Sequence, residues 1–367
     1  MDTDPYNLTQ SADKQINDVR SSPIIGIDFF CGAGGMTRGF LDAGIDILCG
    51  VDTDVTAKDT YENNNIRSNG TACSFLCRCV ESLSRQEMTR IIGNRGSRAL
   101  VFIGCAPCQP FTNLNTSKEN QGKSKNLLSA FLWQIRRFRP EYVVVENVPG
   151  IQADKYGGVF DKFVERLIRL GYCYPDYHVL DAKKYGVPQT RRRMVLITSL
   201  LGKIYLPVET HGPSMEPYVT VRDTIKKYPI IRAGSSHKVI SNHQSACISD
   251  LNKGRLRVGR TNWTEEMQVP CYGRTNGYGD VYCRMLWDRP APALTTRFNS
   301  ISNGRFGHPS QLRGISIREG AALQTFPDSY VFQSTFTRNA KHIGNAVPVN
   351  LAKILAKTII MHYDEHS

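Results

Sequence analysis

Residues 100–111 read LVFIGCAPCQPF, an apolar run followed by a loop that contains two prolines. The run Leu100–Ile103 predicts a buried strand, and the loop after it carries Cys108. Pro107 and Pro110 fix their own φ angles and restrict the residues before them, so the loop is held in shape before any substrate binds. Because open α/β sheets bind ligands at the carboxyl ends of their strands, the segment predicts an α/β fold with Cys108 as a preset nucleophile.

Further apolar runs on both sides of this segment extend the pattern. The periodicity predicts strands over residues 24–30, 45–51, 142–145 and 194–197, and a helix over 160–170. Strands that alternate with amphipathic helices predict a doubly wound α/β domain.

Composition and hydrophobic pattern divide the chain into four parts. Residues 1–22 are polar and predict a loose N-terminal tail, and residues 23–197 carry the α/β alternation. Residues 198–317 are rich in Gly, Pro, Asn and Arg and predict a smaller, loop-rich domain. Amphipathic helices are predicted over 315–323 and 349–360, so residues 318–367 are expected to pack back onto the first domain.

The charge of the chain favours a polyanionic partner. Lys and Arg number 46 against 33 Asp and Glu, which gives a net charge of +13 and a pI near 9.2. Residues 198–317 hold 16 of the basic and 8 of the acidic side chains. Such an uneven excess is typical of nucleic-acid binding. No apolar run approaches the roughly 20 residues that span a bilayer, so no membrane association is expected.

The cysteines allow two other interpretations of the Cys108 loop. Cys105 and Cys108 have the spacing of a redox pair, but such a pair normally opens a helix, whereas Pro110 and the polar residues 112–125 predict a long loop. Zinc is disfavoured because Cys73, Cys77 and Cys79 lack a second pair or histidines at finger spacing, so no metal is expected. Eleven cysteines without an apolar leader predict a reducing compartment.

A glycine loop follows the first predicted strand. Residues 28–36 read DFFCGAGGM, in which the glycines let the backbone approach a nucleotide closely. Thr37 stands where a dinucleotide fingerprint would have another glycine, so the loop suits a nucleoside without a polyphosphate. Asp52 ends the next strand, where a carboxylate can accept hydrogen bonds from ribose hydroxyls. On spacing alone, dinucleotide binding stays a competitor.

Six segments in order resemble the motifs of the cytosine-5 DNA methyltransferase family, from about residue 24 to residue 360. They are the glycine loop, Pro107-Cys108-Gln109, Glu146-Asn147-Val148, Gln189-Thr190-Arg191-Arg192-Arg193, residues 318–328 (REGAALQTFPD) and residues 344–348 (GNAVP). The resemblance implies a Rossmann-like methyltransferase sheet, and it places the family's target recognition domain at residues 198–317.

The resemblance also implies S-adenosyl-L-methionine as cofactor. The residues implied to bind it are Asp28, Phe30, Gly32, Ala33, Gly34, Gly35, Met36, Asp52, Thr53, Asn345, Ala346 and Val347. One position departs from the family, because Cys79 occupies the place where an acidic side chain usually contacts the adenine amino group. That single contact is therefore assigned to no residue.

Catalysis on cytosine needs a nucleophile and an acid. Carbon 5 is a poor nucleophile until a thiolate adds at carbon 6, which Cys108 can do. Glu146, at the end of a buried strand, can have its pKa raised by desolvation and serve the N3 side of the ring. Arg191 and Arg193 alternate with Arg192, so in an extended segment they share a face that can hold the base O2 or orient the carboxylate.

Two loops are expected to contact DNA. The target carbon is inaccessible inside a stacked duplex, so the base must be flipped out, and the polar residues 113–126 are a candidate to close over the DNA. Residues 295–309 mix Arg, Asn, Ser and Gly, which read base edges or bind phosphates. Further phosphate contacts are expected from Arg255, Arg257, Arg260 and Arg274.

The sequence therefore predicts a DNA (cytosine-5)-methyltransferase, cytoplasmic and monomeric, of the compact bacterial or archaeal type. By resemblance, a restriction endonuclease acts on the same site without a stable complex. The alternatives are an RNA cytosine-5 methyltransferase of the same fold, a sequence-specific DNA-binding protein without activity and, remotely, a disulfide oxidoreductase.

Overall fold

The computed structural model describes residues 22–106, 118–152, 158–268 and 280–367, with the side chains of 118–126, 152 and 260 left aside. Cys108 lies outside the described residues, as do the tail 1–21 and Arg274. All statements below concern the described part of the chain.

A seven-stranded sheet forms the centre of the first domain. Its strands are β1 (Ile24–Phe29), β2 (Asp46–Asp52), β3 (Ser74–Cys77), β4 (Ala99–Gly104), β5 (Tyr142–Asn147), β6 (Cys173–Asp181) and β8 (Arg192–Ser199), in the order β3-β2-β1-β4-β5-β8-β6. The first five are parallel, and β8 pairs antiparallel with both β5 and β6. The order reverses at β1 and β4, which is where doubly wound sheets bind ligands.

Helices cover both faces of this sheet, which confirms the predicted doubly wound α/β fold. One face packs against α1 (Gly35–Ala43), α2 (Lys58–Asn64) and α10 (Val349–His366), and the other against α3 (Arg85–Ile92), α4 (Lys118–Phe138) and α5 (Val159–Arg169). The central strands are fully buried, as expected for strands covered on both faces.

A third core lies in the second half of the chain, where regular structure is sparse. It contains α6 (Val221–Ile225), α8 (Ile317–Leu323) and α9 (Phe336–Asn345), with α7 (Asp250–Val258) beside it. The short strands β7 (Gln189–Thr190) and β9 (Ala291–Pro292) pair in parallel and join this region to the first domain. Of the predicted C-terminal segment, α10 packs on α1, whereas α8 and α9 belong to the third core.

The polar stretch after Cys108 is one place where the expectation was wrong. Residues 113–126 were predicted as a loop, but α4 begins at Lys118 and runs to Phe138. Residues 118–126 are mostly Lys, Asn, Gln and Glu, whose helix formation needs no apolar period, and the periodic apolar residues start only at Leu127. Residues 113–117 lie outside the described residues.

The stretch 336–366 is apolar enough and long enough to pass as a membrane span, with 56% of its most apolar window buried. In the structure this stretch is part of the hydrophobic cores. A break at residues 346–348 separates α9 from α10, and Leu351, Leu355 and Ile359 of α10 are fully buried against the first domain. This arrangement is typical of core helices in a globular protein.

Candidate active site

The carboxyl ends of β1, β2, β4 and β5 meet at one edge of the sheet. Because these strands are parallel and adjacent, they bring Phe30, Asp52, Cys105 and Glu146 to the same side of the molecule. The sequence motifs that follow separate strands are therefore neighbours in space.

The start of the Cys108 loop is fixed from two strands. The Cys105 N–H donates to the Phe29 carbonyl (3.2 Å), and the Asn147 side-chain amide donates to the Ala106 carbonyl (3.2 Å). Asn147 is 2% exposed. In the sequence Asn147 is visible only as part of a motif, although an amide at the end of a buried strand is a typical loop anchor. The last described residue before Pro107 is thus held beside β5.

Glu146 and Arg193 form an ion pair at this edge, with 3.0 Å between Oε1 and Nε. Glu146 lies opposite Val195 in the β5–β8 pair, so Arg193 is its diagonal neighbour on the same face. Burial raises the pKa of Glu146, while the Arg193 and Arg191 charges oppose that rise. A buried carboxyl group with a raised pKa is suited to hold a proton near neutral pH.

Arg191 forms hydrogen bonds of its own beside the Glu146–Arg193 pair. The Arg191 guanidinium donates to the backbone carbonyls of Leu294 (3.0 Å), Gly344 (3.0 Å) and Ala346 (3.1 Å). Its side chain is 1% exposed. Arg191 is close enough to lower the pKa of Glu146, but its hydrogen bonds join the third core to the sheet.

The glycine loop between β1 and α1 is tightly packed on one side and open on the other. Phe30 has a φ of 62°, which is strained for a residue with a side chain, and its N–H donates to the Val51 carbonyl (2.7 Å). A Cβ on Gly34 would lie 2.5 Å from Asn65 Nδ2, and one on Gly35 would lie 2.4 Å from the Val347 carbonyl oxygen. Gly32 faces open space, where a Cβ would meet no atom of the described residues within 4 Å.

Two carboxylates beside this loop suit a nucleoside cofactor. Each oxygen of Asp52 accepts one backbone N–H, from Gly32 (2.9 Å) and Asp54 (2.8 Å), which fixes the carboxylate and leaves lone pairs for hydroxyl donors. Asp28 is fully buried, and burial raises its pKa to about 7 against the hydrogen bonds from Thr37. Its Oδ1 has no hydrogen-bond partner among the described residues. An open glycine and an unsatisfied buried oxygen together fit the cofactor that the motifs imply.

The other predicted cofactor residues lie around the same loop. Val347 contacts it directly, and the side chain of the preceding Asn345 is exposed. Ala33 and Met36 are buried in the loop and in α1, whereas Thr53 is exposed after β2.

Three side chains of α9 contact the loop that follows Asp52. Asp54 lies 3.1 Å from Lys341 Nζ, 3.5 Å from His342 Nε2 and 3.7 Å from Arg338 Nη1. We call these four residues the α9 clasp. Because Asp54 follows Asp52 and α9 leads into residues 345–347, the clasp joins two walls of the predicted cofactor site. The clasp was not predictable from sequence, because more than 280 residues separate Asp54 from its partners on α9.

The predicted phosphate contacts in the second half of the chain differ in exposure. Arg255 is 7% exposed, with its guanidinium over the rings of Trp263 and Tyr282 and a hydrogen bond to the Met267 carbonyl (2.9 Å). It is therefore a packing residue, and the expectation that it contacts phosphate was wrong. Arg257 and Arg297 are exposed. The side chain of Arg260 and all of Arg274 lie outside the described residues.

The cysteines within the described ranges are free thiols, and those ranges contain no cluster of three or more metal-ligating side chains. Cys79 precedes a short 3₁₀ turn over Val80–Ser82, and its Sγ lies 3.9 Å from Glu81 Oε2.

This edge of the sheet, with a glycine loop and a buried, ion-paired glutamate, has the geometry of a ligand-binding site in a doubly wound α/β protein. The model of the C-5 cytosine-specific DNA methylase family matches residues 24–361, and the chain belongs to that family. Type II methylase M.HgiDII of Herpetosiphon aurantiacus is 39% identical over 344 residues, covering 91% of this chain and 94% of the relative. Type II methyltransferase M1.HphI of Haemophilus parahaemolyticus is 30% identical, covering 91% and 86%.

Solved structures share the fold. An E. coli prophage-encoded chain described as a DNA modification methyltransferase aligns with a TM-score of 0.70 at 22% identity, over 93% of this chain and 99% of that chain. Dnmt2 methyltransferase of S. pombe aligns with a TM-score of 0.55 at 16% identity, over 93% and 99%. These likenesses confirm the Rossmann-like methyltransferase sheet.

Proposed function

We propose that the protein is a DNA (cytosine-5)-methyltransferase that flips a target cytosine out of duplex DNA and methylates its carbon 5. The observation that carries the proposal is the Glu146–Arg193 pair, which lies beside the anchored start of the Cys108 loop at the ligand-binding edge of the sheet. The pair supplies an acid and a cation, and the loop supplies a thiol, which are the groups that activation of cytosine requires.

The reaction begins when the Cys108 thiolate adds to carbon 6 of the flipped base. The electron pair of the 5,6 double bond moves towards carbon 5, and a proton or hydrogen bond from Glu146 at N3 stabilises the resulting charge. Arg193 holds the Glu146 carboxyl in place and offers its remaining N–H groups to the base O2. Carbon 5 then takes a methyl group, its proton leaves to a base or water, and the thiolate is released as the double bond re-forms.

Residues around the glycine loop hold the methyl donor. S-adenosyl-L-methionine supplies an electrophilic methyl group on a sulfonium. Asp52 is placed to accept from ribose hydroxyls, Phe30 and Gly32 line the open side of the loop, and residues 345–347 close it from α9. The Asp28 oxygen without a partner offers a further acceptor.

The partner is double-stranded DNA, because the basic excess lies in the part of the chain that carries the third core. Relatives named as Type II methylases support a restriction-modification role. In that role the protein is a cytoplasmic monomer, and a separate restriction endonuclease acts on the same site without a stable complex.

The test is transfer of labelled methyl groups from S-adenosylmethionine to mixed-sequence duplex DNA by the wild type and by Cys108→Ala. Label recovered as 5-methylcytosine only with the wild type supports the substrate, the reaction and the nucleophile together, and sequencing the product gives the site. Cys105→Ser is the matched cysteine control and is expected to retain activity. Label on transfer RNA but not on DNA would show that RNA is the substrate. Selective DNA binding without methyl transfer would show a sequence-specific DNA-binding protein without activity.

A further inference from the structure

Three buried side chains form a polar cluster between the first domain and the third core. Gln189, Arg191 and Gln324 are 0–1% exposed, and we call this cluster the polar junction. The Gln189 side chain donates to Gln324 Oε1 (3.0 Å), and Gln324 donates to the carbonyls of Ile343 (2.7 Å) and Ala346 (3.1 Å). Arg191 donates to the same Ala346 carbonyl.

The polar junction binds Leu294 through both of its backbone groups. The Leu294 N–H donates to Gln189 Oε1 (2.9 Å), and its carbonyl accepts from Arg191 Nη1 (3.0 Å). Two different side chains of the polar junction therefore hold the two backbone groups of one residue. The segment that leaves Leu294 is Thr295–Arg297, and all three of its residues are exposed.

Gly344 brings the same segment against the predicted cofactor residues. A Cβ on Gly344 would lie 2.2 Å from the Thr295 carbonyl oxygen and 2.7 Å from the Thr296 nitrogen. The Thr295–Thr296 peptide therefore packs directly on the residue that precedes Asn345. Backbone-to-backbone packing of this kind leaves little room for one segment to move without the other.

We propose that Arg191 is a positioning residue, which acts with Gln189 and Gln324 to fix segment 294–297 relative to the Glu146–Arg193 pair. The inference rests on the proposed function and deepens it. Arg193 is two residues from Arg191, so one short segment at the start of β8 carries both the group beside the reacting base and the group that holds the third core. The polar junction thereby sets where bound DNA lies relative to the acid.

Three variants separate this role from direct contact with the base. Gln189→Met keeps the volume and removes the bonds to Leu294 and Gln324, and Arg191→Lys replaces the planar fork by a point charge that cannot repeat bonds on several sides. Gln134→Met is the control. Gln134 of α4 is also fully buried, but it donates to the Val80 and Leu83 carbonyls and takes no part in the polar junction. Thermal unfolding shows which variants stay folded.

Steady-state methyl transfer is measured for each variant with DNA varied at saturating S-adenosylmethionine. We expect the KM for DNA to rise about tenfold in Gln189→Met and Arg191→Lys, with kcat within about threefold of the wild type. The double variant is expected to be no worse than about the poorer single one, because both act through Leu294. Gln134→Met loses stability without a change in KM.

If neither variant changes the KM for DNA and Arg191→Lys alone lowers kcat, the inference is overturned. Arg191 would then act directly on the reacting base. Additive losses in the double variant would overturn it too. If the buried variants fail to fold, exposed Arg297→Gln decides: a raised KM for DNA supports the placement of segment 294–297, and an unchanged KM overturns it. Absence of DNA methylation by the wild type would instead refute the proposed function, and this inference with it.

Discussion

Arg193 Nε lies 3.0 Å from Glu146 Oε1, across the antiparallel β5–β8 pair, and only 10% of the Glu146 side chain is exposed. Two effects therefore act on one carboxyl group. Burial disfavours its charged form and raises its pKa, while the guanidinium favours the charged form. The raised pKa means that burial is the stronger effect, so a large share of the acid form persists at higher pH than in water.

Glu146→Gln is expected to lower kcat about 10²- to 10⁴-fold, because the amide cannot transfer a proton to the ring. Cofactor affinity stays near that of the wild type. In the wild type, single-turnover rates fall as the pH rises through the raised pKa of Glu146, and this fall is absent from Glu146→Gln. Arg193→Met removes the charge that lowers the pKa of Glu146, so the rate falls at a higher pH in that variant. A Glu146→Gln variant with wild-type kcat would contradict the proposed acid.

Gly34→Ala is expected to weaken S-adenosylhomocysteine binding strongly, whereas Gly44→Ala does not. The two glycines flank α1 and both have positive φ, 85° and 105°, so both substitutions carry a similar backbone penalty of about 1–2 kcal/mol. Only at Gly34 would the new Cβ lie 2.5 Å from Asn65 Nδ2 and 2.9 Å from the Tyr330 hydroxyl. Calorimetric titration of both folded variants measures the difference, and equal affinities would show that the loop packing does not shape the cofactor site.

Asp28 is expected to make the cofactor-free protein less stable as the pH rises from about 4 to about 7. The folded-state pKa is raised to about 7 by burial, above the unfolded value, so the folded protein holds a proton that the unfolded chain has lost. The contribution is complete below the unfolded pKa and falls by about 1.4 kcal/mol per pH unit within the window. Asp28→Asn removes this slope.

Urea unfolding of the wild type and Asp28→Asn at several pH values measures the effect. Parallel stability profiles of the two proteins across this range would show that Asp28 is not protonated in the folded state. Thr37 bonds to the side chain at residue 28 in the wild type, and an asparagine oxygen can accept the same two bonds, so the variant is expected to fold.

The sequence predicted the central strands well because each is buried on both faces and reads as an unbroken apolar run. It missed β3 and β6, which lie at the two edges of the sheet. Edge strands are partly exposed, as at Tyr174 and His178 of β6, so polar residues interrupt their apolar pattern. The start of α4 was predicted as a loop for the same reason, because its first turns consist of polar residues.

The candidate site was predictable where one short segment carries the chemistry. Glu146 lies at the end of a strand and the glycine loop follows one, so parallel strand order brings them to the same side of the sheet. The partners of Arg191 were not predictable, because Leu294 and Ala346 offer only backbone carbonyls, which every residue has. The ion pair between Arg193 and Glu146 depends on strand register and domain packing, and a sequence pattern contains neither.

Asp54→Asn is expected to raise the KM for S-adenosylmethionine several-fold with a smaller change in kcat, because the α9 clasp holds residues 345–347 against the loop after β2. Burial alone would raise the pKa of Asp54, but the hydrogen bonds from Thr56 and Lys341 and the Lys341 charge outweigh it and hold the pKa well below its usual range. The carboxylate is therefore charged at every assay pH above about 4, and the contribution of the clasp to stability is lost only as the pH falls further.

Asp42→Asn breaks the surface pair with Arg38 on α1 and serves as the control that leaves KM unchanged. Raised salt is expected to weaken cofactor binding more in the wild type than in Asp54→Asn, since screening removes an attraction that the variant already lacks. Equal KM values for Asp54→Asn and the wild type at low salt would show that α9 holds its position without the clasp.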